Sequence, residues 1–116
     1  MAEVLPFKGI LYNPAKVNRL ANVITPPFDV ISNMEQDRFY ESSPYNMIRL
    51  IRGKTTAYDT RGHNPHSRAA DYMAKWLAGG IFVQDSEPAF YLTTLDFKAD
   101  RKNYRRYGLI ALVKLS

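Results

Sequence analysis

The stretch NPHSRAADYMAKWLAGGIFV, residues 64–83, carries its own start and stop signals, and its reading sets the fold class. Asn64 is an N-cap residue, and Pro65 follows at the first helical position, where a missing amide costs nothing. Ala69, Met73, Trp76 and Leu77 fall on one face at helical spacing, which predicts an amphipathic helix with Trp76 and Met73 turned to the core. Gly79-Gly80 supplies the left-handed stop. Ile81–Val83 then reads as a short extended piece.

Toward the C-terminus, AFYLTTLDF (89–97) and YRRYGLIALVKL (104–115) predict a β-hairpin around a charged turn. Leu109–Val113 is apolar on both faces, the pattern of an interior strand. Toward the N-terminus, YNMIRLIR (45–52) is apolar and β-rich and reads as a buried strand. The polar segment 53–63 reads as the least ordered internal loop. Ser32 and Glu35 have the spacing of a capping box, so a first helix is expected to run to about Ser42, with Met34, Phe39 and Tyr40 as its buried residues. Pro44 bars its extension. FKGILY (7–12) reads as a first strand ended by Asn13-Pro14, and NVIT (22–25) as a second, brief one. The expected order is β, β, α, β, α and a C-terminal β-hairpin. This is an α+β domain spanning 1–116, with two helices packed against a small mixed β-sheet.

Bulk properties set outer limits. The chain has 116 residues, 46% hydrophobic and 23% charged, which suits one globular domain with a modest core. It has no cysteine, which excludes disulfides, thiolate metal sites and a cysteine nucleophile, and fits a cytoplasmic protein. The N-terminus lacks a basic segment followed by a long apolar one, and the longest aliphatic run is far too short to cross a bilayer, so no membrane partner is expected. The formal charge of +5 permits an anionic partner.

Four motifs carry possible chemistry. Gly53-Lys54-Thr55 ends like a phosphate-binding loop, but Ile48 stands where the first glycine belongs, so the cradle is missing. Asp59, His63 and His66 are metal-competent residue types without a fourth ligand, and read as a solvated loop; no metal or cofactor is indicated. KADRKNYRR (98–106) interleaves five basic residues with Tyr104. It could follow a nucleic-acid backbone, though Asp96 and Asp100 dilute its field. The fourth is ITPPFDVIS (24–32), in which two prolines stiffen the chain just before Asp29. That carboxylate is either a plain turn acceptor or a contact presented to a ligand.

At these residues the chain resembles a family of bacterial and archaeal proteins known as domain of unknown function 1015. ITPPFDVIS resembles its Pro-Pro-Tyr-Asp-Val motif, with Phe28 where Tyr is usual. LPFKGILYNPAKV resembles the family's opening, SPYNMIRLI its next strand, SRAADYMAKWLAGGIFVQDSEPAFYL its Arg-Ala-Ala helix and following strand, and YRRYGLIALVKL a later strand. The resemblance implies that this is the N-terminal part of a longer protein, whose later His-Glu motif is absent here. It brings no established activity. Some members are labelled ParB-like, which implies a ParB/sulfiredoxin-type fold. Asp29 is then the expected polar contact of a partial ligand site. Arg19, Arg49, Arg105 and Arg106 are the candidate contacts to a small anionic ligand, because guanidinium groups fork onto carboxylate or phosphate. The competing reading is a non-catalytic module that binds nucleic acid or protein through the basic hairpin. Neither an enzymatic reaction nor an oligomeric state is read from the residues.

Overall fold

The computed structural model describes residues 2–115. The chain is α+β, and it groups into two compact units: Leu11–Val83, and Met1–Ile10 with Gln84–Ser116. Its strands are β1 (Glu3–Leu5), β2 (Ile10–Tyr12), β3 (Phe82–Gln84), β4 (Tyr91–Ala99), β5 (Lys102–Ile110) and β6 (Leu112–Lys114). They form two-stranded ladders, β1–β6, β2–β3 and β4–β5, in place of the single mixed sheet expected. The helices are α1 (Asn33–Ser42), α2 (Ile48–Ile51) and α3 (Pro65–Ala78), one more than expected. None is long and apolar enough to cross a membrane.

The 11–83 unit holds the core. The α3 cap forms as its residues dictate: Asn64 Oδ1 accepts from the amides of His66 and Ser67 at 2.9 and 3.1 Å, and Gly80 takes the left-handed conformation at φ 76°. Trp76 is 4% exposed and packs with Val17, Val23, Ile81 and Phe82. Its ring lies 5.3 Å from Phe82 and 6.0 Å from Tyr45, both edge-on, and 5.7 Å from Tyr72. Such aromatic pairs add to the area they bury. Met73 packs at the margin of this cluster, as the helical spacing predicts.

Segment 45–52 is not a strand. Asn46 is fully buried, and its Oδ1 accepts from the Ile48 amide at 2.8 Å, which starts the helical turn of α2. Its Nδ2 donates to the Asn22 carbonyl at 2.8 Å and to Ser42 Oγ at 3.1 Å. A short apolar run has no period long enough to separate strand from buried helix, and here the side-chain bonds of Asn46 decide. NVIT is likewise not a strand: Leu20–Asn22 forms a 3-10 turn, and Val23 follows it as a buried residue whose carbonyl receives the Met47 amide at 2.7 Å. In α1 the Ser32–Glu35 capping box is present, but Met34 is 77% exposed instead of buried.

In the other unit, β1 pairs antiparallel with β6, Val4 opposite Val113, and β4 pairs antiparallel with β5 from Tyr91–Ile110 to Ala99–Lys102. β1 was missed in the sequence, and β4 and β5 run closer to the tip than expected, leaving only Asp100-Arg101 as the loop. Leu109 and Val113 are exposed, not interior. Gly9 meets Tyr91 so closely that a Cβ would lie 2.5 Å from the phenol carbon. The Gly9 amide donates to the Tyr91 hydroxyl at 2.7 Å, and that hydroxyl donates to Asp85.

Candidate functional site

Asp29 lies at the centre of a 3-10 turn, Phe28–Val30, entered from Pro27 at φ −56° and ψ 146°. Val30 N donates to the Pro27 carbonyl at 3.2 Å and Ile31 N to the Phe28 carbonyl at 3.4 Å. Ile31 is buried and anchors the exit, and Ser32 then caps α1. A third brace comes from a residue the sequence reading passed over. The Arg52 guanidinium donates to the Phe28 carbonyl at 3.1 Å and to Asn33 Oδ1 at 3.2 Å. Arg52 is held in turn by Gln36, whose side-chain amide donates to its carbonyl at 2.7 Å. The turn is thus fixed from both flanks while the exposed Asp29 carboxylate forms no ion pair among the described residues. Phe28, at 62% exposure, stands beside it on the surface.

The four candidate arginines have separate fates. Arg19 precedes the 3-10 turn 20–22 and lines a surface groove of about 240 Å³ with Lys16, Asn18, Asn22, Ser43 and Tyr45. Neither Lys16 nor Arg19 has an ion-pair partner among the described residues. Arg49 is occupied: it donates to the carbonyls of Ser43 and Tyr40 at 2.7 and 3.1 Å, and lies over the Tyr40 ring at 4.4 Å. It therefore joins the end of α1 to α2. Arg105 is neutralised by Asp96, with Nε–Oδ1 at 2.6 Å and a second bond at 3.1 Å, and this carboxylate raises the Arg105 pKa. Arg106, opposite Leu95 in the hairpin, is exposed. Arg19 and Arg49, in the same unit as Asp29, form no ion pair with it.

The loop 53–63 is tied down, contrary to its polar composition. Asp59 accepts from the Thr56 amide and hydroxyl at 3.0 and 2.8 Å and from Arg68 at 2.9 and 3.3 Å. The Arg68 guanidinium, then the Thr56 amide, hold the Asp59 carboxyl well below the usual carboxylate range. Lys54 pairs with Asp37 at 2.6 Å and lies 4.8 Å from the Tyr40 ring centre, opposite in role to a free phosphate-binding lysine. Gly53 follows helix α2 and not a strand, so the phosphate-loop context is also gone. Asp59 serves Arg68, and no group of three or more His, Asp or Glu among the described residues is placed to hold a metal ion.

Arg52, Arg68 and Asn46 are the residues that sequence reasoning missed. Arg49 lies within the short helix α2 and Arg52 is its C-cap residue, a placement that exists only because the chain turns helical at Ile48. Read as a strand, residues 45–52 give no reason to place either guanidinium beside α1 or the 28–30 turn.

Comparison with known proteins places the chain by family. The family described as "Protein of unknown function (DUF1015)" matches residues 4–116, and the chain belongs to it. Neither curated proteins nor solved structures give a match.

Proposed function

We propose that this member of the DUF1015 family is a cytoplasmic ligand-binding α+β domain. In this reading it contributes part of a site for a small anion, completed by sequence that follows residue 116 in a longer protein. The observation that carries the reading is the groove at Lys16 and Arg19. Lys16 and Arg19, neither of them ion-paired among the described residues, line one concavity with Asn18, Asn22 and Ser43. An anionic group seated there gains charge-assisted hydrogen bonds that no internal carboxylate already takes. The groove wall is firm, because Asn46 fixes Asn22 and Ser42 from behind.

Asp29 has the second part. Its braced turn keeps an unused acceptor in place at little entropic cost, suited to a hydroxyl or a cationic group. A thermal-shift series with inorganic phosphate, mononucleotides and dicarboxylates tests the anion reading on this chain and on longer forms of the protein. At least one anion raises the midpoint in a saturable way, and Arg19→Gln with Lys16→Gln removes the shift. A shift that survives both substitutions, or no shift with any anion in either form, sinks the reading.

A further inference from the structure

The β4–β5 hairpin has apolar side chains on the surface, and among the described residues no third strand pairs with it. Leu95, Phe97 and Tyr104 are 56%, 39% and 44% exposed, and all three lie on one face together with Arg106. Phe97 and Tyr104 face each other across the ladder, with ring centres 5.5 Å apart and planes 18° from parallel. An isolated two-stranded hairpin is marginal in water, and a long apolar edge is a template for another strand. Among the described residues the further bridge near β4 is Phe7–Ala89, which lies before the strand begins. The outer edge of residues 95–99 has no strand partner among the described residues.

We propose that the outer edge of β4 pairs antiparallel with β4 of a second copy of this chain, about a two-fold axis at Phe97. The charges choose both the strand and the register. β5 carries Lys102, Arg105 and Arg106 and no carboxylate. Self-pairing of β5 centred on residue 104, 105 or 106 sets cation directly opposite cation, which opposes association. β4 instead carries Asp96 and Lys98, two apart and so on one face. With Phe97 on the axis, each Asp96 stands opposite Lys98 of the other copy, and Leu95 stands opposite Ala99.

One face of the resulting four-stranded sheet is then a row of Arg105, Asp96 and Lys98 of the second copy, alternating in sign, ended by the neutral Asn103 of the second copy. The other face is a continuous row of four rings, Tyr104 and Phe97 from each copy. The contact is isologous and closes on itself, so it gives a dimer and not a fibre. Asp96 has room for this role: Arg105 engages it from within the hairpin, and its side chain remains 65% exposed.

Sedimentation velocity on the 116-residue chain, from micromolar to millimolar concentration, tests the proposal. The chain sediments as a concentration-dependent dimer. Lys98→Asp sets carboxylate against carboxylate and raises the dissociation constant at least about tenfold, as does Asp96→Lys with the opposite sign. Mixing the two variants restores a dimer, because each then supplies what the other lacks. Lys98 is exposed and forms no ion pair among the described residues, so Lys98→Gln gives a charge-neutral control on an intact hairpin, with an intermediate loss. A monomer at every concentration, a Lys98→Asp protein that dimerises like the parent, or a mixture that stays monomeric would each overturn it.

Discussion

Arg68 closes on both oxygens of Asp59, Nη1 to Oδ1 at 2.9 Å and Nη2 to Oδ2 at 3.3 Å, while Nη2 also donates to the Lys54 carbonyl at 2.6 Å. One side chain of α3 thus fastens the start of the 53–63 loop to its middle. The two-pronged geometry favours the charged carboxylate over the protonated one, so its folded-state pKa is depressed. A depressed folded value means that the stability is present above the ordinary carboxylate value near about 4 and is lost as pH falls below it. Arg68→Gln is expected to return the Asp59 titration toward that ordinary value and to speed amide exchange across 53–63. Carboxyl-carbon NMR against pH reads the first effect, and an unchanged Asp59 titration would refute the assignment.

Tyr12 shifts the other way. Its hydroxyl donates to the Tyr45 carbonyl at 2.7 Å, and burial pushes its pKa up to about 12. The unfolded chain releases this proton near pH 10, so the folded state holds the proton over a range where the unfolded state does not. Stability therefore falls as pH rises from about 10 toward 12, and is full below that window. Tyr12→Phe is expected to cost about 1 kcal/mol at neutral pH, the net worth of one hydrogen bond, and to flatten the alkaline slope. Denaturant midpoints at pH 8 and in the alkaline window separate the two effects. An equally steep decline in the phenylalanine variant would assign the slope to other groups.

Trp76 is the centre of the 11–83 core, in contact with rings from β2, α3 and β3. Trp76→Ala leaves a cavity that four aromatic neighbours cannot close together, and is expected to cost about 3–5 kcal/mol. Equilibrium urea unfolding reads it. A change below about 1 kcal/mol would show that the helix face is misassigned.

What the sequence made legible were local signals whose partners lie within four residues. The Ser32–Glu35 box, the Asn64 cap, the proline at the first turn of α3 and the left-handed Gly80 each involve neighbours in the chain, and all are present. Helix α2, within the segment 45–52, was hidden because the partners that set it lie elsewhere. Asn46 binds Asn22, 24 positions away, and Arg52 binds Phe28, also 24 away. Asp29 could be singled out from its prolines, but the brace from Arg52 could not. The apolar pattern of 109–113 pointed to an interior strand, and in a two-stranded ladder it is left facing outward.

The hairpin tip offers a test of backbone strain. Asp100 and Arg101 have φ of 48° and 63°, both left-handed, which is the two-residue loop that asparagine and glycine favour. Arginine pays roughly 1–2 kcal/mol for this conformation. Glycine removes that cost, but loses more freedom on folding, which returns about 0.4–1 kcal/mol. Arg101→Gly is expected to stabilise the chain by about 0.5 kcal/mol on balance. A midpoint lowered by the substitution would mean that the Arg101 side chain does more than turn the chain.

Asp29 and Arg52 separate function from fold within one turn. The Asp29 carboxylate is exposed and forms no ion pair among the described residues, so Asp29→Asn is expected to change stability by less than about 0.5 kcal/mol. Arg52 is the reverse case. Its guanidinium ties the Phe28 carbonyl to Asn33, so Arg52→Gln loosens the turn and is expected to cost about 1–2 kcal/mol and raise amide exchange at Phe28–Ile31. If Asp29 contacts a ligand, Asp29→Asn in the longer protein abolishes ligand binding while the fold stays intact. Arg52→Gln weakens binding as well, but only in step with the loosened turn. If Asp29 were a plain turn acceptor, its substitution would lower stability and leave binding in proportion to the folded fraction. Unfolding curves and ligand titrations on the two variants tell these cases apart, and an Asp29→Asn protein that is destabilised yet still binds would end the ligand-contact reading.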